Sequence, residues 1–407
     1  MSRSSHPTRA LLAALVALFT LLPIGAGAGT DPVPCPVLGE PVLLGPLGQK
    51  ETRAPFSARH LSGLAVSTDN ADALTGQQIV WAVGDRKANE AVKVENDRVY
   101  LFGYDVADGS LAIRYRIRPG AFPDDPRFTG PPEPDGVTST DSVRPVPDVE
   151  DLSIEYREGA RDLLWLFDTG DNTVSRDQIN AYRVWEPDLT QTGIGVLGET
   201  GTDPELDDES EGGAIKPARF PIKVWNNAKR TNRVHPNVEA AFVDVGAPVA
   251  TKPIYLIPRT PADADGDGSF DELRLYRFDT RKKNGANHAT PAGWLEAGGP
   301  GHQVVGASIV PGGATFALRT GKATQDAVLT FDRDPARHIS EWITDGNRTP
   351  ACSWVGNDTD PGAAREETIA FAVPAASTGP WEGFVWTHDG TEFPPLYGAA
   401  IEVPPEP

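Results

Sequence analysis

Past its N-terminal segment the chain has almost no helical periodicity. No long stretch repeats apolar residues at i, i+3, i+4 and i+7, which points away from a helical architecture. Basic residues are also in short supply. There are 37 Lys and Arg against 57 Asp and Glu, giving a net charge of -20 and a pI of about 4.7. Such a surface repels phosphate backbones, so nucleic acid is excluded as a natural partner. Cysteine is scarce: there are two in 407 residues, and neither lies in a nucleophile motif. No Gly-x-Ser-x-Gly elbow, phosphate-binding loop or dinucleotide fingerprint occurs, which disfavours the usual serine hydrolase and the nucleotide-binding folds.

The first residues read as an export signal. Arg3 and Arg9 precede the apolar "ALLAALVALFTLLPIG", and small residues at Ala26–Gly29 offer cleavage after Ala28. Residues 1–28 are therefore expected to be a signal peptide and 29–407 a single secreted domain. The apolar run is short and terminal, and no later stretch reaches membrane length. Cys35 follows Pro-Val-Pro, which is not the small-residue pattern of a lipoprotein signal. In an exported chain an even pair of cysteines implies a disulfide, here Cys35 to Cys352, stapling the two ends of the mature chain.

What the chain has in quantity is short β-rich runs. Examples are "QQIVWAVGD", "DRVYLFGYDV", "DLLWLFDTG", "PIYLIPR", "ELRLYRFD" and "DAVLTFDRD". Each holds Val, Ile, Leu and aromatics between Gly, Asp, Asn or Pro, and 41 Gly with 38 Pro make turns abundant. The runs repeat in order. Opening phrases fall near Ser62, Glu150, Glu239, Gly306 and Glu367, each followed by a Leu- or aromatic-centred strand and then a Tyr/Phe-bearing one. Repeats of this kind predict an all-β propeller of five or six blades whose first strands line a central channel. Two acid-, Pro- and Gly-rich insertions, "FPDDPRFTGPPEPDGVTSTDSVRPVP" and "TGTDPELDDESEGG", read as surface loops. Ring closure would fall near the termini, with "PVLLGPLG" added as an outer strand to the last blade beside the strand around Cys352.

The phrases "HLSGLAVST…VWAVGD", "DVEDLSIE…LWLFDTGDN…INAYRVWEP", "NVEAAFVD…IYLIPR…LRLYRFD" and "EETIAFAV" resemble the secreted bacterial propellers grouped as esterase-like or phytase-like. They also resemble actinobacterial proteins whose blades open with Asp-Trp-Glu-Asp. The opening here is Asp148-Val149-Glu150-Asp151, with Val in place of Trp. The resemblance covers most of the mature chain. It implies a propeller and speaks to the fold far more than to any reaction.

Two constellations are candidates for chemistry. The opening acids Glu150, Glu239 and Glu367 occupy one place in three blades and would stand at one level of the channel. Like charges so placed raise one another's pKa or recruit a hard cation such as Ca²⁺. The second-strand ends add Asp85, Asp171, Asn172 and Arg319. A channel ion would polarise an ester or phosphoester oxygen, a carboxylate (Glu150, Glu239, Glu367 or Asp171) would act as base, and Arg319 would hold an anion. The same glutamates would instead bond backbone N–H groups of the next blade if their role is structural. The second constellation is "DADGDGSFDE". Asp263, Asp265, Asp267 and Asp271 stand at positions 1, 3, 5 and 9 with Gly268 at 6, like the front of an EF-hand loop. Position 12 is Arg274 and strands flank the loop, so a Ca²⁺-stapled hairpin is expected rather than an EF-hand. His60, His235 and His302 precede blade openings at differing offsets and are weaker candidates. The function expected is either a Ca²⁺-assisted hydrolase acting at the channel or a non-catalytic propeller that binds a protein, glycan or small ligand.

Overall fold

The computed structural model describes residues 35–38, 42–46, 61–71, 78–84, 99–106, 111–117, 149–157, 161–170, 178–187, 205–206, 218–246, 252–279, 287–322, 325–357, 366–372, 383–388 and 395–402. The chain divides into Met1–Cys35 and Pro36–Pro407. The expected signal peptide lies outside the described residues. So do Asp85, Asp171, Asn172 and His60.

The described residues are nearly all β. Two short strands, β1 (Val37–Leu38) and β2 (Val42–Pro46), come first. Blade 1 is β3 (Leu61–Ala71), β4 (Gln78–Gly84), β5 (Val99–Asp105) and β6 (Leu111–Ile117). Blade 2 is β7 (Val149–Glu155), β8 (Leu163–Asp168) and β9 (Ile179–Trp185), then, past a two-residue strand β10 (Glu205–Leu206), β11 (Ala218–Trp225). After β12 (Arg233–Val234), blade 3 is β13 (Val238–Val243), β14 (Pro253–Pro258), β15 (Glu272–Asp279) and β16 (Asn287–Glu296). Blade 4 is β17 (Gln303–Ile309), β18 (Thr315–Lys322), β19 (Gln325–Asp332) and β20 (Cys352–Asn357), with a short helix α1 (Ile339–Thr344) before β20. Blade 5 is β21 (Glu366–Ala372), β22 (Gly383–His388) and β23 (Pro395–Glu402).

Within each blade consecutive strands pair antiparallel. The first strands adjoin in a closed cycle: β3 with β7, β7 with β13, β13 with β17, β17 with β21, and β21 with β3. That cycle defines a β-propeller, and the described residues trace five of its blades. Both faces of such a sheet are covered by its neighbours, so the inner strands are apolar almost throughout, as in Val238–Val243 where every residue is buried. The core therefore lies in the seams between blades. One cluster joins blades 1 and 2, one joins blades 1 and 5, one joins blades 4 and 5, and the largest runs through blades 2, 3 and 4. In the last, Phe316 stacks on Phe331 and Phe242, with Trp342 of α1 edge-on to the first two. Each such ring removed from water contributes about 1.5–3 kcal/mol.

The closure expected from the sequence is present. β1 and β2 both pair antiparallel with β23, Val37 opposite Glu402 and Val42 opposite Gly398, so the N-terminal residues form the outer edge of blade 5. Neither cysteine is free, and the two form the Cys35–Cys352 disulfide. Trp354 beside Cys352 donates its indole N–H to the Pro36 carbonyl at 2.9 Å. The outer strands β11 and β16 pair in parallel through Ile222 and Asn287, tying blade 2 to blade 3 at the rim.

Candidate functional site

All five inner strands carry a β-bulge at the same place. The register shifts between Leu61 and Gly63, Val149 and Asp151, Val238 and Ala240, Val304 and Gly306, and Glu366 and Thr368. The extra residue in each is Ser62, Glu150, Glu239, Val305 or Glu367. The three opening glutamates thus occupy equivalent bulges in blades 2, 3 and 5, as the repeat implied. In blade 4 the bulge residue is Val305, one before the Gly306 that marked the opening in sequence. A bulge re-aims a side chain out of the pleat and recurs beside functional sites.

The residue after each bulge is small or polar for a steric reason. A Cβ on Gly63 would lie 2.4 Å from the Leu152 nitrogen, and one on Gly306 would lie 3.0 Å from the Thr368 Cα. Asp151 fills this place in blade 2 and is fully buried. Its carboxylate accepts N–H bonds from Leu152 at 2.8 Å, from Ala241 of blade 3 at 2.8 Å, and from Ala307 of blade 4. One side chain therefore bridges three blades. Burial pushes its pKa well up. The three N–H bonds pull the other way, and the nearby Glu239 adds to the rise. Two residues on, Ser153 accepts from Val243 N–H of blade 3, and Ser308 of blade 4 accepts from Phe371 N–H of blade 5.

Glu239 is buried and held on both sides. Its Oε1 accepts from Asn237 Nδ2 at 2.7 Å and from Arg259 at 2.9 Å. Arg259 follows β14 and also donates through Nε to Gln303 of blade 4 at 2.9 Å. Glu150 is buried at the equivalent bulge and has interactions of its own. Glu367 lies in β21, and its side chain is outside the described residues. Arg319 is buried with its guanidinium 5.3 Å from the Trp386 ring centroid and 3.5 Å from Asp326 Oδ2. His302 is buried with Nδ1 3.4 Å from Thr320 Oγ1, and His235 is half-buried.

Among the described residues, carboxylates converge as a possible metal cage in one region, the β14–β15 loop. Ligand oxygens of Asp263, Asp265 and Glu272 lie within 4.8 Å of one another, and so do those of Asp267, Asp271 and Glu272. The loop folds back because Ala262 bridges Glu272 and because Gly266 (φ 86°) and Gly268 (φ 90°) take left-handed turns. Asp263, Asp265 and Asp267 each accept a backbone N–H two or three residues on, from Gly266, Asp267 and Ser269. Glu272 is buried and shared by both groups, and its Oε2 accepts from Ala264 N–H at 3.1 Å. Burial, with Asp265 and Asp271 alongside, raises its pKa. This acidic cluster has the donor set of a hard-cation site.

The sequence candidates thus part company. The loop acids Asp263, Asp265, Asp267 and Asp271 come together. Glu150 and Glu239 share a level of the ring. Arg319 lies against Trp386 of blade 5. Three residues enter that the sequence list lacked: Asp151, Arg259 and Glu272. Asp151 sits next to Glu150 and Glu272 ends the quoted Asp/Gly phrase, so both were adjacent to named signals. Arg259 had no signal beyond its place at a strand end.

No protein-family model and no curated protein matches the sequence. Solved structures do. A tail fibre of a Staphylococcus aureus phage is 11% identical over 89% of this chain and 53% of that chain, with a TM-score of 0.37. An engineered GH43 glycoside hydrolase is 10% identical over 84% of this chain and 51% of that chain, with a TM-score of 0.40. The Dos1 propeller is 9% identical over 84% of this chain and 68% of that chain, with a TM-score of 0.26. The chain spans about half the length of the first two.

Proposed function

We propose that the protein is an exported propeller that binds an extracellular ligand (a protein, glycan or small molecule), with Ca²⁺ in the Asp263–Glu272 loop. The carrying observation is how the acids are partnered. Asp151 and Glu239 in the ring are engaged by backbone N–H groups, Asn237 and Arg259, whereas the loop acids, besides their local backbone N–H bonds, face one another. Phe270, 61% exposed in the same loop, offers an apolar contact beside the ion. Calorimetry of Ca²⁺ into the metal-stripped protein tests the reading. Binding should survive the paired change Glu150→Gln with Glu239→Gln and disappear in Asp265→Asn with Asp267→Asn. Binding that survives the loop change would sink it.

A second reading rests on the five aligned bulges, which give Glu150, Glu239 and Glu367 equivalent places. It makes the channel mouth a Ca²⁺-assisted esterase or phosphoesterase, with Asp85, Asp171, Asn172 and Arg319 completing the shell. Turnover of p-nitrophenyl esters or phosphates that is abolished by Glu150→Gln would favour it. An inactive wild-type protein across that screen would remove it.

A further inference from the structure

In three blades the residue after the bulge faces the next blade round the ring. Gly63 abuts Leu152 of blade 2, Asp151 bonds Ala241 of blade 3, and Gly306 abuts Thr368 of blade 5. Thr368 holds that place in blade 5, and the next blade is blade 1. Its face of the sheet continues through Ala370 and, on β22, Val385. Both pack in one cluster with Leu61, Leu64, Val66, Val80 and Ala82 of blade 1. Thr387 is the cross-strand partner of Thr368 and shares the face. Ser62 is the bulge residue of β3, the inner strand that adjoins β21.

Thr368 and Thr387 are 0% exposed and Ser62 is 1% exposed. Their three hydroxyls have no hydrogen-bond partner among the described residues. Buried polar atoms in native proteins are nearly always bonded to protein or ordered water. Between blades 2 and 3 the equivalent place carries a carboxylate, which reaches the neighbour's N–H directly. A threonine hydroxyl reaches one bond less far from the backbone.

We infer that the seam between blades 5 and 1 is a binding site for an ordered water, held by Ser62, Thr368 and Thr387. A buried water takes two to four polar partners, and these hydroxyls supply that number from two adjacent blades. The water does for this seam what the Asp151 carboxylate does for the seam between blades 2 and 3.

The test is thermal unfolding of the full chain with Thr368→Val, Thr387→Val and the double change, beside a high-resolution crystal structure. A shared water predicts that each valine lowers the Tm by about 2–5 °C, and that the double change costs less than the sum, because the first already loses the water. Thr368→Ser, which keeps the hydroxyl but deletes a buried methyl, should keep the water density whatever its Tm. Density for a water within hydrogen-bonding distance of the hydroxyls is expected. An unchanged or raised Tm for the valine variants would overturn the inference, since a methyl is preferred to a dry hydroxyl. A seam without water density would overturn it equally.

Discussion

The ring and the β14–β15 loop are both acidic, and they treat carboxylates in opposite ways. In the ring the buried acids are answered by donors of the protein: three backbone N–H groups for Asp151, and Asn237 and Arg259 for Glu239. In the loop, Asp263 with Asp265, and Asp267 with Asp271, each close on Glu272, and the backbone donors they do have are local to the loop. A carboxylate that has found its donors is part of the scaffold. One that also faces its own kind has oxygens to offer a cation. The same residue type therefore carries different meaning in the two places, and the difference is set by the partners.

The sharpest break of this comparison is Asp151→Ala. It strands the N–H groups of the buried Leu152, Ala241 and Ala307. At about 1–3 kcal/mol for each unsatisfied group, urea unfolding should show a loss of about 3 kcal/mol or more. A loss under about 1 kcal/mol would mean those groups find other acceptors. Next in size is the cation. At a hundredfold excess over its Kd, Ca²⁺ should stabilise the parent by about 2.7 kcal/mol. Asp265→Asn with Asp267→Asn should abolish that gain and leave the metal-free protein unharmed, since like charges are removed. Glu239→Ala should cost about 2 kcal/mol, below the usual figure for breaking a buried pair because Arg259 keeps some contact with water. A double-mutant cycle with Arg259→Ala should return a favourable coupling.

The smallest signal is in pH, because many carboxylates titrate together. Burial raises Asp151 and Glu272 above their unfolded values. The native state then holds protons that the unfolded chain has released. Their contribution is fully present below about pH 4 and is lost as pH rises through the elevated folded values. Asp151→Asn should flatten that slope in a series of denaturant midpoints. Added Ca²⁺ should remove the Glu272 part and leave the Asp151 part.

The fold was legible because a propeller writes its repeat into the sequence. Phrases such as "VEDLSIE" and "VEAAFVD" share a bulge and a burial pattern, so similar residues recur at similar places. The terminal closure was legible from one apolar phrase beside Cys35. The loop was legible because alternating Asp with Gly is a local signal. Glu272 escaped because the expected closing ligand was sought at Arg274, where a helical EF-hand would have it. A strand start and the Ala262 bridge close the loop two residues earlier. Asp151 and Arg259 escaped for a different reason. Their roles depend on Ala241, Ala307 and Gln303, which belong to neighbouring blades, and no local pattern announces a contact across a seam.

The outer edge of blade 5 is made from the first strands of the described chain, paired with its last. A chain made N-terminus first delivers β1 and β2 long before β23 exists to receive them. The strands that shut the ring must wait, unpaired, until that last strand emerges. Blade 5 is then the last to be completed whatever order the others follow, and a chain cut short before Pro395 has a ring that can form but not latch. The Cys35–Cys352 bond, whose second thiol arrives ahead of β23, can tether the waiting end, so the oxidation of one thiol pair becomes a timing step in assembly.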